Sequence, residues 1–183
     1  RVDTVTEEML RKMARAGCRV IRYGVESSSP VILENIRKKI TPEQIKLAFK
    51  KTREAGIKTH ATIMFGLPGE TEETIRQTIK FVLELDPDYA QFPIAIPYPG
   101  TDFYKLVKAN GWLKSDNWAD YTGDCPIVEY PNLSREKIAA ASKLALKKFY
   151  LRPRYILESL MKVKTAGEYK QLFKAGFNLL KNI

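Results

Sequence analysis

Three stretches of the chain alternate hydrophobic and polar residues with the period of two that is typical of β-strands. They are CRVIRYGV (18–25), KTHATIMF (58–65) and YAQFPIAIP (89–97). Between them, hydrophobic residues recur at the spacing of one face of an amphipathic helix. Capping residues and glycines mark where these helices begin and end. The predicted starts are Thr6, Ser29, Thr41, Thr71 and Thr101, and the predicted stops include Gly17, Gly56 and Gly111.

Strands that alternate with helices of this length predict an α/β fold, with βα units on a parallel sheet. Each strand has a bulky apolar face, suited to packing under helices, and a smaller, more polar face. A sheet curled so that the polar faces line a cavity explains this pattern better than a flat sheet buried on both sides. Three strands cannot close a barrel, so residues 1–111 are predicted to be half of a larger structure. Residues 112–133 are predicted to be an irregular connection and residues 134–183 a basic helical extension.

The carboxyl ends of the predicted strands carry the densest clusters of glycine, proline and capping residues. These are GVES (24–27), FGLPGET (65–71) and PYPGT (97–101). Ligands bind at this end of the strands in barrels and in open α/β sheets. Gly66 and Gly69 are expected to remove side chains where a ligand lies against the backbone, and Pro68 to fix the bend. A plain turn explains any one of these loops, but three in register favour a binding site.

These three segments, in this order and spacing, resemble the radical S-adenosylmethionine (SAM) enzymes. The similarity is greatest to the cobalamin-dependent branch that includes the oxidative cyclases of chlorophyll biosynthesis and the hopanoid side-chain enzymes. It implies a partial (β/α)6 barrel of the TIM type, with this chain as its C-terminal half followed by a helical extension. It also implies that the loops bind the cofactor, through Glu26, Ser27, Gly66, Leu67, Pro68, Gly69, Glu70, Pro97 and Tyr98. Ser28 departs from the family, which usually has glycine there.

The cofactors that the resemblance implies are SAM, a [4Fe–4S] cluster and, through an upstream domain, cobalamin. Three cysteines in the pattern C-x-x-x-C-x-x-C hold such a cluster, but this chain has only Cys18 and Cys125. The cluster ligands are therefore expected upstream of Arg1, in the missing N-terminal half of the barrel, and the chain is not expected to be active alone. Cys18 is expected to be a small buried hydrophobic residue, and Cys125 either a structural or a substrate-side residue.

Polar residues on the inferred cavity face are candidates for contact with the substrate: Arg22, His60, Thr62 and Gln91. His60, the only histidine, has either a proton-transfer role or a structural one. Arg22 lies on the same face as Glu26 and either pairs with it or faces the substrate. No acid–base pair is assigned, because the cofactor would supply the difficult chemistry.

The net charge of +10 is concentrated at the C-terminal end. Residues 134–183 have 12 Lys and Arg against three acids, whereas residues 1–133 are nearly balanced. The predicted last helix, 168–183, has a broad apolar face opposite Lys170, Lys174 and Lys181. It would contact either an anionic membrane surface, or the protein's own core or an upstream domain, and a solvated helix surface is the remaining alternative for the basic end. With no stretch of about 18 apolar residues and no secretory signal, the protein is expected to be cytoplasmic or peripheral to a membrane.

The resemblance implies an enzyme that reductively cleaves SAM to a 5′-deoxyadenosyl radical and acts on a small, hydrophobic biosynthetic substrate. This half would supply part of the cofactor pocket and much of the substrate cavity. One alternative is a transfer-RNA methylthiolating enzyme of the same chemistry, in which the basic end grips phosphates. A second is a non-catalytic basic module that binds a membrane, a nucleic acid or a partner domain. A third is an ordinary TIM-barrel fragment, in which the three loop sequences would be a coincidence.

Overall fold

The computed structural model describes residues 1–163 together with residues 165, 167, 169, 170, 173, 174 and 176. Within residues 1–163, three strands and seven helices follow one another in the order that the sequence predicts. The strands are β1 Val20–Glu26, β2 Lys58–Ile63 and β3 Tyr89–Gln91. The helices are α1 Glu7–Arg15, α2 Pro30–Asn35, α3 Pro42–Glu54, α4 Glu72–Leu85, α5 Asp102–Ala109, α6 Arg135–Tyr150 and α7 Pro153–Lys162, and a short 3-10 turn covers Trp118–Asp120.

The helices begin where the sequence places their capping residues. The Thr6 hydroxyl accepts a hydrogen bond from the Met9 amide at the start of α1. Thr41 forms a capping box at the start of α3, and Thr71 forms one with Thr74 at the start of α4. Each cap satisfies amide groups that have no partner inside the helix, typically contributing about 1 kcal/mol.

The strands form one parallel sheet in the order β1-β2-β3, which confirms the predicted α/β class. Thr62, near the carboxyl end of the central strand β2, pairs with Gly24 on one side and Gln91 on the other. The helices pack on the face that carries Val25, Ile63 and the adjoining Phe65, all of which are fully buried. The opposite face, with Thr62 and His60, is only partly covered by this chain. The alternation predicted for β1 and β2 is therefore confirmed.

The third strand is shorter than predicted. Regular pairing stops at Gln91 instead of Pro97, because Pro93 has no amide hydrogen to donate. The amide of Ile94 turns away to the carbonyl of Gly123, at 2.6 Å. An isolated bridge between Phe65 and Ile94 continues the contact with the end of β2.

Side chains from the C-terminal helices seal the outer edge of β3. The Tyr150 hydroxyl donates to the carbonyl of Ala90 at 2.7 Å and accepts from its amide at 3.2 Å. The Ser142 hydroxyl donates to the Phe92 carbonyl at 2.6 Å. At the other side of the sheet, no strand in the described part of the chain pairs with the outer edge of β1. The sheet is therefore closed to extension at β3 and open at β1.

The C-terminal half of the chain shares the core of the sheet. Residues 112–133 lack regular helices and strands apart from the 3-10 turn, as predicted, and bury Ile127 and Leu133 against the core. Helix α6 buries Ile138 and Phe149 in the same cluster. The predicted last helix lies largely outside the described residues, including its apolar Leu172, Leu179, Leu180 and Ile183. None of the helices in the described residues is long and apolar enough to cross a membrane.

Candidate functional site

Glu26 is the last residue of β1, and its backbone has a strained conformation. Its φ of 64° is left-handed, which is uncommon for a residue with a side chain, and the register of the sheet shifts between Gly24 and Glu26. One carboxylate oxygen, Oε1, lies 2.6 Å from the Lys38 ammonium, and the two side chains are 17% and 18% exposed. A Cβ at position 24 would collide with both partners. Gly24 therefore leaves room for the ion pair.

The second carboxylate oxygen of Glu26 has no hydrogen-bond partner among the described residues, although it is buried. A buried carboxylate oxygen normally accepts a hydrogen bond, because burial without one is unfavourable. Lys38 has three donor hydrogens, and this pair uses one of them. Together the two side chains offer an acceptor and spare donors side by side at the carboxyl end of the sheet.

Two residues of β2 carry further unpaired polar atoms on the same face. Thr62 Oγ1 and His60 Nε2 are buried without a partner in the described part of the chain. Thr62 pairs with Gly24 in the sheet, and His60 pairs with Arg22. Burial lowers the pKa of His60 below 6.5, and the nearby charge of Arg22 lowers it further. The imidazole is therefore mostly neutral at pH 7, and one ring nitrogen can accept a hydrogen bond.

Arg22 and Gln91, the other two predicted cavity residues, are exposed on the two neighbouring strands. The strand alternation makes Arg22 a candidate partner for Glu26, but the ion pair of Glu26 is with Lys38. The sheet therefore brings Glu26, His60 and Thr62 onto one face, flanked by Arg22 on one side and Gln91 on the other.

The two glycines of the FGLPGET loop have a conformation that favours glycine. Gly66 and Gly69 both have left-handed φ values, of 82° and 83°. A Cβ on Gly66 would lie 3.3 Å from the Ile138 side chain, and one on Gly69 would lie 2.5 Å from the side-chain amide nitrogen of Asn35. The backbone thus comes close to side chains of α6 and α2 in this chain. That the glycines also make space for a ligand stays a prediction.

The buried carboxyl group of Glu70 binds the backbone of the same loop. Glu70 is 3% exposed, and its Oε2 accepts a hydrogen bond from the Gly66 amide at 2.6 Å. The Tyr130 hydroxyl donates to the Gly66 carbonyl at 2.9 Å, so both polar backbone groups of Gly66 are bound within the chain. Burial raises the pKa of Glu70 from 4.5 to about 7, although the Gly66 and Leu67 amides oppose this shift. Burial and the charge of Glu70 also raise the pKa of Tyr130.

Several predicted cofactor residues lie beneath the site surface. Ser27 is fully buried, and its hydroxyl lies 3.2 Å from that of Thr78 on α4. In this chain it holds the turn after β1, and its contact with the cofactor stays a prediction. Leu67 packs in a small cluster with Ile32 and Ala95, and Pro97 is buried too. Of the predicted set, Glu26, Pro68, Gly69 and Tyr98 have accessible surface.

Exposed aromatic side chains stand beyond β3. The Tyr98 ring lies 6.1 Å from that of Tyr121, which lies 4.9 Å from the ring of Trp118. Trp118 is 66% exposed, on a turn fixed by the Asn117 side chain, which accepts from the Ala119 amide at 3.1 Å. These three rings form an aromatic cluster at the carboxyl end of the sheet.

The two cysteines are far apart in the chain, and neither is fully buried. Cys18 was expected to be buried but is half-buried before β1, with its sulfur 3.7 Å from the Val20 carbonyl. Cys125 is half-buried against the core. The described residues contain no group of three His, Cys, Asp or Glu side chains that could hold a metal ion.

Sequence reasoning missed three residues of this region: Lys38, Tyr130 and Trp118. Lys38 follows a short helix, in a run of three basic residues whose pattern does not single it out. Tyr130 lies 64 residues after its partner Gly66, and no local signal connects them. Trp118 lies in a segment that the sequence predicts only as irregular. Its exposure, which marks it as a candidate contact residue, is visible only in the structure.

Comparison with known proteins agrees with this geometry. Residues 1–82 match the Radical SAM superfamily. The chain is 39% identical over 160 residues to an uncharacterized methyltransferase of Pyrococcus horikoshii, covering 87% of this chain and 35% of the relative. It is 24% identical over 176 residues to the anaerobic magnesium-protoporphyrin IX monomethyl ester cyclase of Rubrivivax gelatinosus, covering 93% and 31%. The chain thus spans about one third of the length of these relatives.

A solved structure shares the fold. The radical SAM methyltransferase TsrM from Kitasatospora setae, with cobalamin and a [4Fe–4S] cluster bound, aligns with a TM-score of 0.53 and 27% identity. The alignment covers 60% of this chain and 20% of TsrM. The expected relationship to the cobalamin-dependent branch is therefore confirmed.

Proposed function

We propose, from the premise that residues 1–82 belong to the radical SAM superfamily, that this chain supplies one side of the SAM and substrate site of a longer radical SAM enzyme. In this proposal the chain is the C-terminal half of the catalytic barrel. The open edge of β1 is where the remaining strands of the barrel would add, since α6 already seals the edge of β3.

The observation that carries the proposal is the set of unpaired buried polar atoms on one face of the sheet. Glu26 Oε2, His60 Nε2 and Thr62 Oγ1 all lack a partner in the described residues. Burying three such atoms on the face turned away from the core would be unfavourable unless a ligand, water or another part of the protein formed hydrogen bonds with them. A site that a bound cofactor and the missing strands complete accounts for all three.

Glu26 and Lys38 suit SAM as a ligand. SAM has donors in its ribose hydroxyls and ammonium group and acceptors in its carboxylate, whereas the pair offers one unpaired acceptor and spare donors. Bound SAM would supply the reactive adenosyl or methyl group. The residues of this chain would hold and orient it, and the neutral His60 and Thr62 would contact SAM or the substrate.

A [4Fe–4S] cluster does not fit the residues of this chain. Its two cysteines are far apart in the sequence, and no other candidate ligand set exists in the described part. We therefore assign the cluster to a part of the protein outside this chain and derive no step through it. We assign cobalamin in the same way, supported by the likeness to TsrM, whose structure contains it.

The aromatic cluster favours a flat, hydrophobic substrate. Tyr98, Tyr121 and Trp118 expose ring surface at the carboxyl end of the sheet, and aromatic faces stack on conjugated rings. The similarity to the cyclase, whose name gives a magnesium-protoporphyrin ester as its substrate, points to the same class. We propose that the reaction modifies a carbon of such a molecule.

Binding of SAM to the full-length, cluster-loaded protein tests the proposal. We expect Glu26→Gln to weaken binding about tenfold or more, because a hydrogen bond to a charged group contributes about 1.5–3 kcal/mol. The matched control is Glu84→Gln, which changes an exposed carboxylate on α4. Equal affinities for the two variants would remove Glu26 from the site, and a folded, loaded protein that does not bind SAM would refute the function itself.

Analysis of the products then distinguishes the chemistries. Formation of 5′-deoxyadenosine indicates hydrogen abstraction, whereas S-adenosylhomocysteine indicates methyl transfer. Dependence of either product on added cobalamin would support the assignment of that cofactor.

A further inference from the structure

Helix α7 turns Tyr155, Glu158 and Ser159 toward the protein, where they are half-buried. The Tyr155 ring packs on the core, 5.6 Å from the ring of Phe149 and 5.1 Å from that of Tyr150, and its hydroxyl donates to the Asp88 carbonyl at 3.4 Å. Arg154 pairs with Asp86 at 3.6 Å. One aromatic ring and polar contacts thus anchor the helix, while most of its large apolar residues face solvent.

The outward side of α7 carries four large apolar residues. Ile156, Leu157, Leu160 and Met161 are 41%, 58%, 42% and 75% exposed. They recur at positions i, i+1, i+4 and i+5, which places them on one side of the helix. Phe173, beyond α7, is 83% exposed. We call the four residues of α7 the α7 face. Contiguous apolar surface of this kind normally marks an interaction site.

The sequence around α7 is basic. From residue 137 to residue 167 it contains eight Lys and Arg and a single acid, Glu158. Lys137 pairs with Glu72, and Arg152 and Arg154 pair with Asp86. Lys143, Lys147 and Lys148 are exposed along α6, the helix on which α7 packs. An apolar helix face next to a helix with exposed lysines fits a lipid bilayer, which has an apolar interior and can carry negatively charged headgroups.

The rest of the proposed barrel is not placed to cover this face. Upstream strands would add at the open edge of β1, whereas α6 and α7 lie at the sealed edge of β3. The sheet therefore lies between the α7 face and the upstream strands that would complete the barrel.

We propose that the α7 face binds an anionic lipid surface, holding the protein at a membrane without spanning it. The apolar side chains would enter the interfacial layer of the bilayer, and the lysines of α6 would contact lipid headgroups. A hydrophobic substrate dissolved in the membrane would then lie near the protein. The proposal does not require the proposed enzymatic chemistry, and it takes from the proposed function only the position of the upstream strands.

Cosedimentation of the full-length protein with lipid vesicles tests this proposal. We expect binding to vesicles that contain phosphatidylglycerol, weaker binding to phosphatidylcholine alone, and a decrease with added salt as the charges are screened. The double variant Leu157→Ser with Met161→Ser should reduce partitioning about tenfold or more, because it removes two large side chains from the apolar contact. Both replaced residues are exposed, so the fold should survive.

The matched control is Leu47→Ser with Met9→Ser, which changes an exposed leucine on α3 and an exposed methionine on α1. It should bind vesicles like the unmodified protein. The proposal is overturned if vesicles do not bind, or if both double variants lose binding equally. It is also overturned if the α7 variant changes only the oligomeric state in light scattering, since the face would then join two copies of the protein.

Discussion

The buried carboxyl of Glu70 predicts a pH dependence that one substitution should abolish. The Glu70→Gln variant keeps the size of the side chain and an oxygen that accepts from the Gly66 amide, but it cannot ionise. Burial raises the pKa of Glu70 from its ordinary value of 4.5 to about 7. Between these values the folded protein holds a proton that the unfolded chain has released.

The sign and size of the effect follow from this difference. Because the folded state binds the extra proton, its contribution to stability is complete below about pH 4.5 and is lost as pH rises through about 7. The gap between the two pKa values corresponds to about 3 kcal/mol in the free energy of unfolding. Relative to the unmodified protein, Glu70→Gln should therefore become more stable by about that amount between pH 4.5 and pH 7, and then level off.

Denaturant unfolding at a series of pH values measures this difference. Trp112 is a suitable fluorescent reporter, because its ring lies 5.2 Å from that of Tyr130, which binds the same loop. Subtracting the two curves removes the contributions of all other titrating groups. Glu84→Gln, with an exposed side chain, is the control and should show a flat difference. A flat difference for Glu70→Gln as well would refute the argument that burial keeps this carboxyl protonated.

Three further changes test other contacts. Gly69→Ala forces a Cβ against Asn35 in a left-handed conformation, so it should lower the free energy of unfolding by about 1–2 kcal/mol, and unchanged thermal denaturation would contradict the conformation of the loop. Lys38→Met leaves the Glu26 carboxylate without its cation, so dialysis should show SAM binding weakened by about tenfold, and full affinity would exclude Lys38 from the site. Tyr150→Phe should speed amide exchange at the edge of β3 in hydrogen-exchange mass spectrometry, and unaltered protection would show that the hydroxyl does not seal that edge.

The local elements of this fold are predictable because the signals are local. The caps at Thr6, Thr41 and Thr71 depend on residues three positions away, and the alternation in β1 and β2 reports directly which side is buried. The third strand was predicted too long because the alternation continues past Pro93, although the proline itself argues against regular pairing there.

The contacts that build the site are less predictable because they join distant residues. The pairing of Glu26 with Lys38 depends on how α2 folds back over the end of β1, whereas the strand alternation indicated only Arg22 as a partner. The FGLPGET sequence indicated a special backbone, but the side chains that lie against its glycines, Ile138 and Asn35, come from other parts of the chain. The pattern thus pointed to these loops without specifying which groups meet there.

The seal on β3 also sets an order of events during protein synthesis. Tyr150 lies 60 residues after the Ala90 backbone that it covers. At about 5–20 residues per second, a ribosome needs roughly 3–12 s to make that stretch. During this interval the edge of β3 has emerged without its cover and can pair with other nascent chains. A ribosomal pause between β3 and α6 would therefore lengthen the period in which the chain is most prone to aggregation, and a chaperone that acts during synthesis would be most useful there.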